Sequence, residues 1–199
     1  MDYCKRLAEN LPAPLETTYL VNSGTEAIEG SIKLAKRATG RSQIIAARKA
    51  YHGNTQGSLS IMDYELRKQP FRPLLPDLAW IEFNNEAELQ KITTRTAGVV
   101  LETIQGGAGF ITPENDYLAK VKQRCQEVGA LLILDEIQPG FGRTGKLFGF
   151  QNYNVVPDII AIGKGMASGL PCGAFVASYD LMHLLADKPK MSHITTFGG

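Results

Sequence analysis

The chain has 199 residues and a formal charge of +1, from 21 basic and 20 acidic side chains. So small a charge gives no electrostatic footprint for nucleic acid or an anionic membrane surface, and no apolar run approaches the ~20 residues a membrane-spanning helix needs. With 44% hydrophobic and 21% charged residues, the composition is that of a globular domain with its own core, not of a disordered or fibrous chain.

In chain order, MDYCKRLAENLPAP reads as a short amphipathic helix, not a signal peptide. β-rich apolar runs follow at Thr17–Val21, Gln43–Ala47, Ala79–Phe83, Gly98–Leu101, Leu131–Leu134, Asp158–Ile162 and Ala174–Ala177. Helical patterns lie between several of them, at Thr25–Ala38, Glu86–Ile92 and Asn115–Val128. Runs such as LLIL and DIIAI are apolar throughout, which suits strands covered on both faces. The expected class is therefore α/β: a mostly parallel sheet of about seven strands with helices on both faces. Only the stretch Gly163 to Gly173 joins the last two strands. A parallel crossover needs about a dozen residues or more, so that pair is expected to be antiparallel. Without repeats or linker-like tracts, residues 1–199 read as one domain. Cys4, Cys125 and Cys172 are odd in number and far apart, which argues against disulfides or a metal site and fits a cytoplasmic chain. The chain begins inside a helix pattern and stops after a polar loop, as expected of a piece of a longer protein.

Four segments carry the chemistry, most of them where a strand gives way to the next element, the edge at which open α/β sheets bind ligands. Asn22-Ser23-Gly24-Thr25-Glu26 precedes a strong helix. Ser23 and Glu26 have capping-box spacing, and the same helix start can cradle a phosphate through its amides and hydroxyls. Asp135 ends a buried strand; beside a pyridine ring it would keep the ring nitrogen protonated, and otherwise it caps a turn. Lys164 stands between two glycines straight after an apolar strand, an odd place for a solvated charge. A partly desolvated amine there would be a Schiff-base nucleophile. Tyr51-His52-Gly53 offers a ring that can stack on an aromatic cofactor. A nucleotide-binding reading of Gly140–Lys146 fails: it has the G-x-x-x-x-G-K spacing, but Leu147 replaces the required Ser or Thr, and no strand leads into it.

Taken together, VNSGTEAIEGSIKLAKRATGR, YHG, ETIQGGAG, LLILDEIQPGFGRTGKLFGF, PDIIAIGKGMASGLPCGAF and HITTFGG resemble the class III, ornithine/acetylornithine-type aminotransferases of pyridoxal 5′-phosphate (PLP) fold type I. The resemblance implies that Lys164 carries PLP and moves the substrate proton, that Asp135 pairs with the pyridine nitrogen, and that Gln138 reaches the ring's phenolic oxygen. It implies that Ser23, Gly24 and Thr25 hold the phosphate and that Tyr51 stacks on the ring. Thr196 would reach the phosphate of the other subunit of a homodimer. Glu102 would help hold Gln138 or a substrate loop, while His52 belongs to the motif without an assigned chemical role. The reaction implied moves an amino group from an acetylornithine-, ornithine- or 4-aminobutyrate-like donor to 2-oxoglutarate. Two alternatives stay open: a catalytically incomplete PLP-binding fragment, and a same-fold aminomutase or decarboxylase. Gly107, Pro139 and Ile28 depart from the commoner family residues, and Gly107, where many members have Glu, weakens any choice of donor. Family chains are considerably longer, so residues 1–199 are expected to be the cofactor-binding large domain, without the N-terminal segment and the C-terminal small domain.

Overall fold

The computed structural model describes residues 2–187 and 189–196. The last three residues of the HITTFGG segment therefore lie outside the described residues. In chain order the elements are α1 (Asp2–Glu9), β1 (Thr17–Val21), α2 (Gly24–Thr39), β2 (Gln43–Ala47), α3 (Gln56–Ile61), α4 (Glu65–Lys68), β3 (Leu78–Ile81), β4 (Thr96–Glu102), α5 (Tyr117–Val128), β5 (Leu131–Asp135), β6 (Ile159–Ile162), β7 (Gly173–Ala177) and α6 (Tyr179–His183). The expected Glu86–Ile92 helix is a 3₁₀ helix, Glu86–Lys91, capped by the Asn85 side chain on the Ala87 amide.

All seven strands form one sheet in the order β1-β7-β6-β5-β4-β2-β3. The four pairings from β3 to β6 are parallel, and β6–β7 is antiparallel, as the short connection requires. A second antiparallel pair, β1–β7, was not foreseen. Its consequence is simple. Two reversals make β1 run in the same direction as β6, so the C-terminal ends of β1, β2, β4, β5 and β6 all open onto one edge.

The sheet is covered on both faces, and its strands alternate between two cores. Ile45, Val99, Leu101, Leu132, Leu134 and Ile160 face one, packed by Leu118, Val121 and Cys125 of α5. Ile44, Val100, Ile133, Ile159 and Phe175 face the other, packed by Ala27, Ile28, Ile32 and Ala35 of α2. Burial on both sides explains why these strands read as unbroken apolar runs.

The limits of α2 follow from its caps. The Ser23 hydroxyl accepts the Glu26 amide at 3.3 Å, and the Glu26 carboxylate accepts the Asn22 amide at 2.6 Å. At the other end Gly40 adopts φ +67°, and its amide closes on the Lys36 carbonyl, a left-handed terminus that glycine adopts without strain. Gly30 lets α2 lie against the sheet: a methyl group at that position would collide with the ring of Phe175, itself stacked on Tyr19. Alanine should gain about 1 kcal/mol of helix propensity over glycine, yet overpacking costs about 1–3 kcal/mol. Gly30→Ala is therefore expected to lower stability by up to about 2 kcal/mol in urea unfolding, and a stabilised variant would contradict this packing.

Candidate functional site

Five strand ends deliver the predicted residues to one edge. Ile137, just past β5, fills the centre of this junction: a Cβ on Gly24 would lie 2.8 Å from its Cδ1, and one on Gly163 would lie 3.2 Å from the Gly24 Cα. The start of α2, the exit of β5 and the exit of β6 are thus in close contact. Beside that contact lies a cavity of about 250 Å³ lined by Gly24, Thr25, Tyr51, His52, Gly53, Asn54, Glu102, Asp135, Ile137, Gln138 and Lys164. Eight of the nine residues expected at this copy's own site meet here. Ser23 does not line the cavity, its hydroxyl being used as the helix cap, and exposed Thr196 lies outside it. Another hollow, of about 590 Å³ around Arg41 and Arg95, sits by the N-terminal strand ends and holds none of the expected residues.

Asp135 is buried at the tip of β5. One carboxylate oxygen accepts the Ile137 amide at 3.0 Å, and the other meets His52 Nδ1 at 2.8 Å. His52 is buried as well, and among the described residues its Nε2 has no partner. The sequence offered His52 only as part of a motif; here it is the direct neighbour of Asp135. Their separation of 83 positions is why no local pattern could reveal the pair.

Glu102 ends β4 in register with Asp135. Its carboxylate accepts the Tyr51 amide at 3.1 Å and the Gly106 amide at 3.3 Å, so it fastens two loops that border the site. Burial pushes its carboxyl up to about 7; His52 opposes that rise and Asp135 adds to it. Glu136, fully buried, has turned away from the cavity. It accepts the Thr103 hydroxyl and the amides of Gly149 and Phe150, fixing the loop after β5.

Thr25 opens α2, where the first amides have no intrahelical partner. Its hydroxyl lies 2.7 Å from both the Thr55 and Ser58 hydroxyls, and Glu29, one turn further along α2, accepts the Thr55 hydroxyl and the amides of Gly57 and Ser58. This network was missed in the sequence; its one local signal is the i, i+4 spacing of Thr25 and Glu29, which puts them on one helix face. Tyr51 is half-exposed, and its hydroxyl accepts from Asn54 at 3.2 Å. Lys164 follows β6 with φ +45°, an uncommon backbone region for a non-glycine residue. The expectation of a partly desolvated lysine is not met: in this chain Lys164 is exposed at the start of a short 3₁₀ helix, Lys164–Ala167, between two open cavities.

The donor set suits a flat, anionic, nitrogen-containing cofactor. A helix start with hydroxyls can take a phosphate, Tyr51 a ring face, Asp135 a ring nitrogen, and Lys164 an aldehyde carbon. The unpartnered His52 Nε2 and the carboxylate behind it are hard to account for by packing alone.

A mainly parallel seven-stranded sheet with these groups at its C-terminal edge defines the α/β fold of PLP fold type I proteins. The chain belongs to the family described as Aminotransferase class-III, whose model matches residues 1–199. It is 39% identical over 196 residues to the [LysW]-aminoadipate semialdehyde/glutamate semialdehyde transaminase of Sulfurisphaera tokodaii, covering 98% of this chain and 50% of that one. In structure it is similar to the ornithine aminotransferase of Toxoplasma gondii, which holds PLP at partial occupancy (TM-score 0.88, 30% identity, 99% of this chain and 48% of that one). It is similar too to the taurine:2-oxoglutarate aminotransferase of Bifidobacterium kashiwanohense in complex with PLP and glutamate (TM-score 0.88, 25% identity, 99% and 50%). The chain spans about half the length of the curated relatives it matches. No helix among the described residues is long and apolar enough to cross a membrane.

The Glu102 shift has a definite sign. The unfolded carboxyl releases its proton near 4.5, whereas the folded one keeps it to about 7. The folded state thus binds more protons in that window, and stability falls as pH rises through it before levelling off. Glu136 has the same sign, so the comparison must isolate Glu102. Urea unfolding of wild type and Glu102→Gln should show a wild-type advantage that shrinks from about pH 4.5 to about pH 7; a parallel pH dependence in both would contradict the assignment.

Proposed function

We propose that the chain is the cofactor-binding large domain of a PLP-dependent transaminase that passes an amino group from an amino-acid or terminal-amine donor to 2-oxoglutarate. The observation that carries this reading is the meeting of Lys164, the Asp135–His52 pair and the start of α2 around one cavity. Family membership supports the reaction class. The names of the relatives, which include semialdehyde, ornithine and taurine transaminases, support a donor whose amine is terminal.

Bound PLP would supply an electron sink, its protonated ring drawing charge from the carbon that loses a proton. The chain's part is to hold and orient. The amides of Gly24 and Thr25, with the Thr25 hydroxyl, would bind the phosphate, and the helix dipole favours that charge. Asp135 would hold the proton on the ring nitrogen, and His52, fixed to its second oxygen, keeps the carboxylate aimed. Tyr51 would cover one ring face and Gln138 would donate to the ring's phenolic oxygen. Lys164 Nζ would hold the cofactor's aldehyde carbon and would serve as the base that takes the proton from the substrate carbon. Glu102 holds the Tyr51 and Gly106 loops, and Thr196 would serve the site of a second copy in a homodimer. A cytoplasmic setting fits the three free cysteines.

The test is borohydride reduction of the full-length protein incubated with PLP, followed by digestion and mass spectrometry. A pyridoxyl group on Lys164 is expected, and Lys164→Ala should lose it and lower half-transamination by about 10²-fold or more. Normal turnover in that variant would overturn the reading. Binding of PLP without transamination by wild type would favour an incomplete or differently acting enzyme.

A further inference from the structure

The segment from Tyr51 to α3 closes over the start of α2, and Glu29 fastens it there. Thr55, the residue before α3, makes no side-chain cap of its own. Glu29 reaches across from α2 instead. One of its oxygens accepts the Thr55 hydroxyl, the Gly57 amide at 2.8 Å and the Ser58 amide at 3.0 Å. The backbone is shaped for this approach: a Cβ on Gly57 would collide with the Glu29 carboxylate, and one on Gly53 with the Thr25 hydroxyl.

Donor counting gives the network a direction. A carboxylate has no proton to give, so Thr55 donates its hydroxyl proton to Glu29. The Thr55 oxygen is then an acceptor towards Thr25 at 2.7 Å and towards Ser58 at 3.0 Å. Ser58 can give its own proton to the Thr55 carbonyl at 3.1 Å. Of the three hydroxyls, Thr25 is the one whose proton is free to turn towards an anion in the cavity.

The position of that hydroxyl is set from one side. Its oxygen accepts the Thr55 amide at 3.3 Å and lies 2.7 Å from both the Thr55 and Ser58 hydroxyls. All three contacts belong to the segment that Glu29 holds. Thr25 and Gly53 line the cavity, whereas Glu29 does not. A lone carboxylate one turn into the helix would repel an anion at its start; here three donors engage that charge.

We infer that Glu29 is a positioning residue for the phosphate end of the ligand. Through Thr55 and Ser58 it fixes the Thr25 hydroxyl, and so sets how tightly the start of α2 grips a phosphate that it does not touch. The inference rests on the transaminase reading for the identity of the ligand, PLP, but the dependence of phosphate binding on Glu29 is a separate claim.

The test is titration of the full-length, cofactor-free protein with PLP, with pyridoxal, which has the same ring but no phosphate, and with inorganic phosphate. Wild type is compared with Glu29→Gln, Thr55→Val, Thr25→Val and the double variant Glu29→Gln/Thr25→Val. Weakening one charge-assisted link should lower PLP and inorganic phosphate affinity about tenfold in Glu29→Gln and in Thr55→Val, with pyridoxal affinity unchanged. Without the Thr25 hydroxyl, Glu29→Gln should cost little more, as expected of residues that act through one contact. Three results would each overturn the inference: PLP affinity equal to wild type in both single variants, an equal fall for PLP and pyridoxal, or a Glu29→Gln loss undiminished in the Thr25→Val background. With a Lys164 adduct in wild type, each leaves the transaminase reading standing. If Glu29→Gln does not fold, the PLP-to-pyridoxal affinity ratio of Thr55→Val decides alone. Glu29-dependent phosphate binding in a protein that forms no Lys164 adduct would keep the inference and remove that reading.

Discussion

Ile137 occupies the space that a side chain at Gly24 would otherwise fill, the Gly24 backbone crowds the place of one at Gly163, and the site depends on that close approach. Three segments distant in sequence come within van der Waals distance there: the helix start that can take a phosphate, the strand end that carries Asp135, and the strand end that carries Lys164. Parallel strands bring the segments to one edge, but strand direction alone would leave them a side chain's width apart. Two residues without Cβ atoms close that distance. The antiparallel β7 completes the arrangement by letting β1 run with β6, so that Thr25 enters from the side of the sheet opposite to Tyr51 and Glu102.

Burying carboxylates at this edge costs free energy unless each is hydrogen-bonded, and the chain meets that demand in three ways. Glu136 is used up by Thr103 and two amides, and it shapes a loop. Glu102 takes one amide on each oxygen from loops on either side. Asp135 has one amide and one imidazole, which leaves it facing the cavity with His52 behind it. Asp135 and Glu102 thus keep two partners each and both border the cavity, whereas Glu136 is spent on the loop after β5.

The strands were legible because both-face burial removes polar residues from them, and the Ser23–Glu26 spacing was legible because capping is local. The antiparallel β6–β7 pair followed from loop length. The place of β1 beside β7 did not, since that contact is long-range and no local pattern records it. Helices α3, α4 and α6 went unread for a different reason. They are four to six residues long, too short for a periodic signal, and half of α3 is glycine and serine, which have weaker helix preference. Its amides are satisfied by Glu29 on another helix, so its stability comes from tertiary contact. The same holds for the site. Asp135 and Lys164 stood out by position on their own strands, whereas the role of His52 is defined by a partner on a distant one.

Glu102 links the two cavities. Through the Tyr51 amide it holds a wall of the cavity that also carries Asp135. Through the Gly106 amide it holds the root of the hairpin whose Phe110 and Gly106 line the cleft beyond Lys164. The hairpin adds its own support where the Gln105 side chain donates to the Arg48 carbonyl at 2.9 Å, tying it back to the strand end that leads to Tyr51. Walls of both cavities are thus fastened to one carboxyl group whose proton affinity burial has moved up to about 7. Loss of that proton would strengthen both amide contacts together, since a carboxylate is the better acceptor. Geometry that would otherwise belong to two separate loops therefore becomes one shared constraint.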